Sequence, residues 1–123
     1  MTDTTDYRVA LAASDACPEA KANGPVAEIV TFRLLSGTDE TAFLAAASAT
    51  RTPVAAQPGF LRRSLSRDES GLWTDYVEWV DLPSALAAAD AVIALPEFAP
   101  FSAAIDPDGL VMRHAPIVWS MGN

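Results

Sequence analysis

The sequence predicts an α+β domain with elements in the order β-α-β-β-α-β. Two β-rich segments of alternating polarity, Phe60–Arg67 and Leu72–Val80, are separated by the turn formers Asp68-Glu69-Ser70-Gly71, which makes them a hairpin. An Ala-rich helical segment flanks the hairpin on each side, and one further strand lies beyond each helix. The length of 123 residues suits one domain, and with half the residues hydrophobic and 20% charged a packed core is expected.

Residues Met1 to Gly24 read as an extension, with the domain proper over 25–123. Tyr7 to Ala13 has the apolar content of a short helix or strand, but the following Ser-Asp-Ala-Cys-Pro run is rich in breakers. Val26 to Leu35 is the first strand. Its alternation places Glu28, Val30, Phe32 and Leu34 on one face and Ala27, Ile29, Thr31 and Arg33 on the other. Ser36-Gly37-Thr38 turns the chain, and Thr38 or Asp39 caps a helix whose buried stripe is Phe43, Leu44, Ala47 and Val54. Pro53 kinks that helix or ends its regular part. Gln57-Pro58-Gly59 turns into the hairpin. Asp81 stands where an N-cap belongs, with Pro83 in the first turn, and the helix Ser84–Leu95 presents Leu86, Ala89, Val92 and Ile93 as its apolar side. Pro96 stops it, Glu97–Ile105 suits a second short helix, and Asp106-Pro107-Asp108-Gly109 turns into the last strand, Leu110–Val118.

The balance of the chain narrows the function classes. Sixteen acidic against eight basic residues leave a formal charge of −8, which argues against nucleic acid and anionic membrane surfaces as partners. Arg62, Arg63 and Arg67 are the local exception; alternation splits them between two faces, as a solvated edge or an anchor for an anionic ligand. Cys17 is the single cysteine, so an intrachain disulfide and a zinc cluster are both excluded. The N-terminus is acidic where a secretory signal is basic, and no window approaches the ~20 apolar residues of a membrane span. A cytoplasmic protein is expected. Glycine-rich phosphate loops, Ser–His–Asp orders, zinc spacings and deaminase motifs are all missing from the sequence.

This element order is the ferredoxin-like arrangement, two split strand–helix–strand units around a hairpin. Right-handed crossovers put both helices on one face of a four-stranded antiparallel sheet and leave the other face bare. The expectation is that the bare face carries Phe32, Trp73, Val77 and Trp79, too large an apolar patch for a monomer, so that two sheets stack as a homodimer.

The chain resembles the dimeric α+β barrel superfamily, which includes the antibiotic-biosynthesis monooxygenase-like proteins. The resemblance rests on Glu28-Ile-Val-Thr-Phe32, the Gly37 turn, Gln57-Pro58-Gly59-Phe60, and Trp73-Thr-Asp75 with Trp79 entering an Ala-rich helix, together with Ile105-Asp106-Pro107 and Met112-Arg113-His114. It covers roughly Val26 to Val118 and is similar to an uncharacterised bacterial branch. It implies a small-molecule-binding protein, with cofactor-independent monooxygenase-like or isomerase-like chemistry on an aromatic or polyketide-like substrate, and no metal or cofactor. Heme-degrading members carry an Asn on the first strand and a ligating His on the second helix. The corresponding positions here are Val30 and about Ala89, and neither can fill that role.

The candidate site residues follow from strand alternation. Trp73, Asp75, Val77 and Trp79 share one face, Glu28 lies with Val30 and Phe32, and His114 lies with Met112 and Pro116. With the first strand between the third and fourth, Glu28 falls between Asp75 and His114. A histidine beside a carboxylate in an apolar cavity is a general base for taking a proton from a phenol or activated carbon. His114, Glu28 and Asp75 are therefore the candidate catalytic residues. Trp73, Trp79, Phe32 and Phe101 are the candidate walls for a flat ring, with Arg62 as the ligand anchor. Each also admits a plainer role. His114 also reads as a satisfied interior histidine or a dimer contact, Asp75 as one half of an ion pair with Arg62 or Arg33, and the aromatics as core or interface. The competing reading is a non-catalytic dimeric barrel whose inward face is only an interface.

Overall fold

A computed structural model describes Tyr7 and residues 24–122. What is expected of Cys17 and of the rest of the N-terminal extension lies outside the described residues.

The chain forms strands β1 (Val26–Phe32), β2 (Phe60–Arg67), β3 (Trp73–Trp79) and β4 (Val111–Pro116), and helices α1 (Glu40–Ala49), α2 (Arg51–Ala55), α3 (Leu82–Ile93) and α4 (Ala99–Ala103). A short 3-10 turn, Pro96–Phe98, precedes α4. The four-stranded sheet has the order β2-β3-β1-β4 with every pairing antiparallel. This is the ferredoxin-like α+β architecture that the element order predicts.

Local chemistry sets the element boundaries. Asp39 caps α1 by accepting a 3.1 Å bond from the Ala42 amide, and Asp81 caps α3 by accepting 2.9 Å from Ser84. The first helical segment breaks at Thr50, three residues before Pro53. The Thr50 hydroxyl donates to the Ala47 carbonyl at 2.6 Å, and the chain restarts as α2 with Pro53 inside it. In the β2–β3 hairpin, one Asp68 carboxylate oxygen accepts from the Ser70 amide, the Ser70 hydroxyl and the Leu72 amide, fixing the turn. Two helix stripes differ from expectation. Phe43 and Val54 are buried but Leu44 is exposed, and α3 buries Ala85, Ala88, Val92 and Ile93 while Leu86 faces solvent. Small alanines on the inner side let the helix lie close to the sheet.

The largest correction concerns which sheet face the helices cover. Alternation groups the residues as expected, but Phe32, Trp73, Val77 and Trp79 lie beneath the helices, in one core cluster with Phe43, Ala85, Ala88, Val92 and Phe101. Phe32 meets Phe43 and Phe101 edge-on, and Phe43 packs edge-on to Trp73 at 5.0 Å. A sheet face holding two tryptophans and a phenylalanine is the one that two short helices must cover to bury apolar area. The helix-free face presents Ile29, Thr31, Tyr76, Glu78, Val111 and Arg113 instead, none of them buried.

Candidate functional site

The sheet positions the polar residues beneath the helices through its register. Glu28 on β1 pairs across the ladder with His114 on β4 and with Val77 on β3, while Asp75 lies opposite Val30, two residues along the same face. Expected on one face, Glu28, Asp75 and His114 are on one face, but they form two clusters. In the first, Glu28 accepts from the Trp79 indole N–H at 3.3 Å through Oε1, while its Oε2 lies 3.2 Å from His114 Nε2.

In the second cluster Asp75 is held by Arg63, not by Arg62 or Arg33. Arg63 Nε and Nη2 reach the two carboxylate oxygens at 2.9 and 2.8 Å, a bidentate fork. Its Nη1 donates to Thr50 Oγ1 at 2.8 Å, and the guanidinium lies 5.5 Å from the Phe101 ring centre. Burial works against the Arg63 charge, but the hydrogen bonds and charge of Asp75 more than offset it and keep the cation firmly protonated. Arg33 instead serves the hairpin, donating to the Ser70 carbonyl and hydroxyl. Arg62, the expected ligand anchor, is exposed on the helix-free face and paired to Glu78 at 3.3 Å.

Both clusters contribute to the wall of one cavity between sheet and helices, of ≈ 60 Å³. Its polar wall is Glu28, Asp75, Arg63 and Tyr7, and its apolar wall includes Trp79, Val30, Val77, Ala88, Ala89, Val92 and Phe98. His114 is wholly buried behind Glu28 and is not on that wall. Its contact toward the cavity is the Glu28 carboxylate. Trp79 is the one expected aromatic that reaches the cavity; Trp73, Phe32 and Phe101 form the packed end of the core. Val30 and Ala89, the positions compared with heme-degrading proteins, line the wall as apolar groups. Among the described residues no three His, Cys, Asp or Glu side chains group as metal ligands.

Sequence reasoning missed Arg63, Tyr7 and Thr50. Arg63 was readable only as one of a charged cluster, because a β-bulge between Phe60 and Arg62 shifts the register that decides which arginine turns inward. Tyr7 had one signal, a lone aromatic in a polar extension.

Comparison with solved structures adds to this geometry. A mutant form of SnoaB, a cofactor-independent oxygenase from Streptomyces nogalater, superposes with a TM-score of 0.65 at 18% identity over 80% of this chain and 98% of its own. A protein from Nitrosomonas europaea named as a candidate antibiotic biosynthesis monooxygenase gives 0.60 at 14% identity, over 83% of this chain and 98% of its own. The fold is that of the antibiotic-biosynthesis-monooxygenase-like proteins. Rv0793 from Mycobacterium tuberculosis shares it as well, with a TM-score of 0.57 at 16% identity over 80% of this chain and all of its own. No protein-family model and no curated protein sequence matches the chain. Identities this low carry the monooxygenase-like architecture alone, so the chemistry has to be argued from the cavity.

Proposed function

We propose that the protein binds a small aromatic or polyketide-like molecule in the cavity between sheet and helices and acts on it as a cofactor-independent monooxygenase-like or isomerase-like enzyme. The observation that carries this reading is the convergence of Glu28, Asp75, Arg63 and Trp79 on the wall of an otherwise apolar cavity. A carboxylate and a charged guanidinium beside apolar walls suit the removal of a proton and the holding of the anion that results.

In this reading Glu28 takes a proton from a phenolic O–H or an activated C–H. Trp79 and His114 hold the carboxylate in place by its two oxygens. The electron pair stays on the substrate as a phenolate or enolate, and Arg63 stabilises that charge. Return of the proton to another carbon is isomerisation. Attack of the carbanion on dioxygen forms a C–O bond and, with one proton, a hydroperoxide; loss of water then leaves a ketone. Both oxygen atoms of dioxygen are accounted for, one in product and one in water, with the substrate carbon as reductant.

Glu28→Gln tests the assignment, since it keeps the shape and removes the base. With a panel of phenols, quinones and short polyketides, thermal shift reads binding and oxygen uptake reads turnover. The expected result is an unchanged shift with turnover reduced about 10²–10⁴-fold, the usual worth of a positioned base. Equal turnover by parent and Glu28→Gln would contradict it. The alternative, a non-catalytic barrel protein, draws support from the mutual saturation of Asp75 and Arg63, and predicts no ligand-induced shift at all.

The same reading includes a homodimer through the helix-free sheet face and a cytoplasmic location. Val111 on the open face and the tail after β4, where Val118 and Trp119 are 94% and 75% exposed, give a second copy apolar side chains to cover among polar ones. No single helix among the described residues is long and apolar enough to cross a membrane.

A further inference from the structure

A second hollow lies on the outer side of the cavity wall. It is a groove between helices α1 and α2 and strand β2, of ≈ 620 Å³ against ≈ 60 Å³ for the cavity. Ligand pockets of roughly 300–1,000 Å³ are usual for drug-sized molecules, so the groove has the room that the cavity lacks. Leu44, Ala47, Phe60 and Leu65 make much of its wall apolar. Leu44, 47% exposed and outside the packed stripe of α1, contributes to this wall instead.

Groove and cavity are the two sides of one partition. Val54 and Arg63 line both. Phe60, on the groove side, meets the Trp79 ring of the cavity edge-on at 5.8 Å. A ligand body in the groove therefore lies against the same arginine that faces Asp75 within.

Charge selects the kind of ligand. The chain has sixteen acidic and eight basic residues, yet among the described residues the groove is lined by Arg51, Arg62 and Arg63 and by no acid. Arg62 and Arg63 are taken up by Glu78 and Asp75. Arg51 has no carboxylate partner among the described residues. One guanidinium left over beside apolar walls matches the single charge and planar fork of a carboxylate.

We propose that this groove is the outer half of the ligand site and selects an amphipathic carboxylic acid. The flat apolar body lies against Leu44, Phe60 and Leu65, the carboxylate meets Arg51, and the phenolic or enolic end is turned to the Val54–Arg63 partition. The identity of that reacting end rests on the proposed function; the preference for an acid rests on the groove alone.

The test measures binding by calorimetry without oxygen, using 6-hydroxy-2-naphthoate and its methyl ester, which share one ring system and differ in charge. The parent is expected to bind the acid about three- to fivefold tighter than the ester, the worth of an exposed ion pair. The net charge of −8 repels an anion held elsewhere, so a preference without the arginine would run the other way. Arg51→Gln is expected to erase the preference while leaving ester binding unchanged, and Arg51→Lys to keep most of it. Leu44→Glu, at a half-exposed position, is expected to weaken both probes and the acid more. Equal binding of acid and ester by the parent, a preference that survives Arg51→Gln, or no binding of either probe would overturn the inference. So would a Leu44→Glu variant that binds both probes like the parent but loses mass in light scattering, which gives the groove to a second copy. Oxygen uptake is read separately. An acid preference that follows Arg51 without turnover keeps this inference and loses the catalytic one. Turnover of acid and ester alike, in parent and Arg51→Gln, does the reverse.

Discussion

Arg63 holds its charge in a place where burial opposes it, because Asp75 supplies both oxygens to its fork. The pair is nearly out of water, with side chains 15% and 10% exposed. Removing one partner leaves a buried charge uncompensated, whereas removing both leaves an apolar contact. Arg63→Met is therefore expected to lower unfolding free energy in urea by about 3 kcal/mol, the low end of the range for such pairs given the residual exposure. The double variant Arg63→Met/Asp75→Leu is expected to recover most of that loss. A double variant as unstable as the single one would show that Arg63 stabilises by something other than the pair. At this scale the sequence was legible in residue type and face but not in partner. Alternation places Asp75 with Trp73 and Trp79, yet whether Arg62 or Arg63 reaches it is decided by one bulge residue that leaves no mark in the alternation. In the same way the Glu28–His114 contact was legible as a juxtaposition, while the burial of His114 behind Glu28 depends on helix placement.

At the scale of elements, turns and caps were the most legible features, because they depend on residues next to one another. Asp39 and Asp81 cap the helices they precede, and the hairpin turns on Asp68. Gly59 shows how such a turn also locks elements together. Its φ of +88° lies in the left-handed region, and a Cβ there would stand 2.7 Å from the Ser84 Cβ and 2.9 Å from the Val80 side chain. Its carbonyl accepts from the Val80 amide at 2.9 Å, so the entry to β2 is fastened to the start of α3. Gly59→Ala combines backbone strain of about 1–3 kcal/mol with steric overlap. Urea denaturation of that variant is expected to show a loss of about 3 kcal/mol, and a loss below about 1 kcal/mol would mean that the turn relaxes freely. Less legible was the break of the first helix at Thr50. Pro53 announces an interruption, but its position is set by the Thr50 hydroxyl, which bonds Ala47 behind it and Arg63 across the core.

For the whole molecule, periodicity groups residues into faces but does not say which face the helices cover. Phe32, Trp73 and Trp79 have the pattern of an interface and of a core alike, and the core takes them because α1, α3 and α4 have no other apolar surface to pack against. The cavity consequently lies within a single chain, between its own sheet and helices. A dimer through the opposite face then leaves the cavity intact. Light scattering is expected to give about twice the 13.0 kDa chain mass. The double variant Ile29→Glu/Val111→Glu is expected to halve the measured mass without altering phenol binding. A parent that runs as a monomer, or a variant that stays dimeric, would remove that face from the interface.

The proposed ligand site is the cavity beneath the helices, walled by Glu28, Arg63, Asp75 and Trp79. Nitrogen-detected NMR during a phenol titration tests it most directly. The predicted result is saturable movement of the Trp79 indole N–H and the Arg63 Nε–H, with the amides of Thr31, Tyr76 and Arg113 on the open face unmoved. Movement confined to that open face, with the Trp79 indole unchanged at saturation, would contradict it.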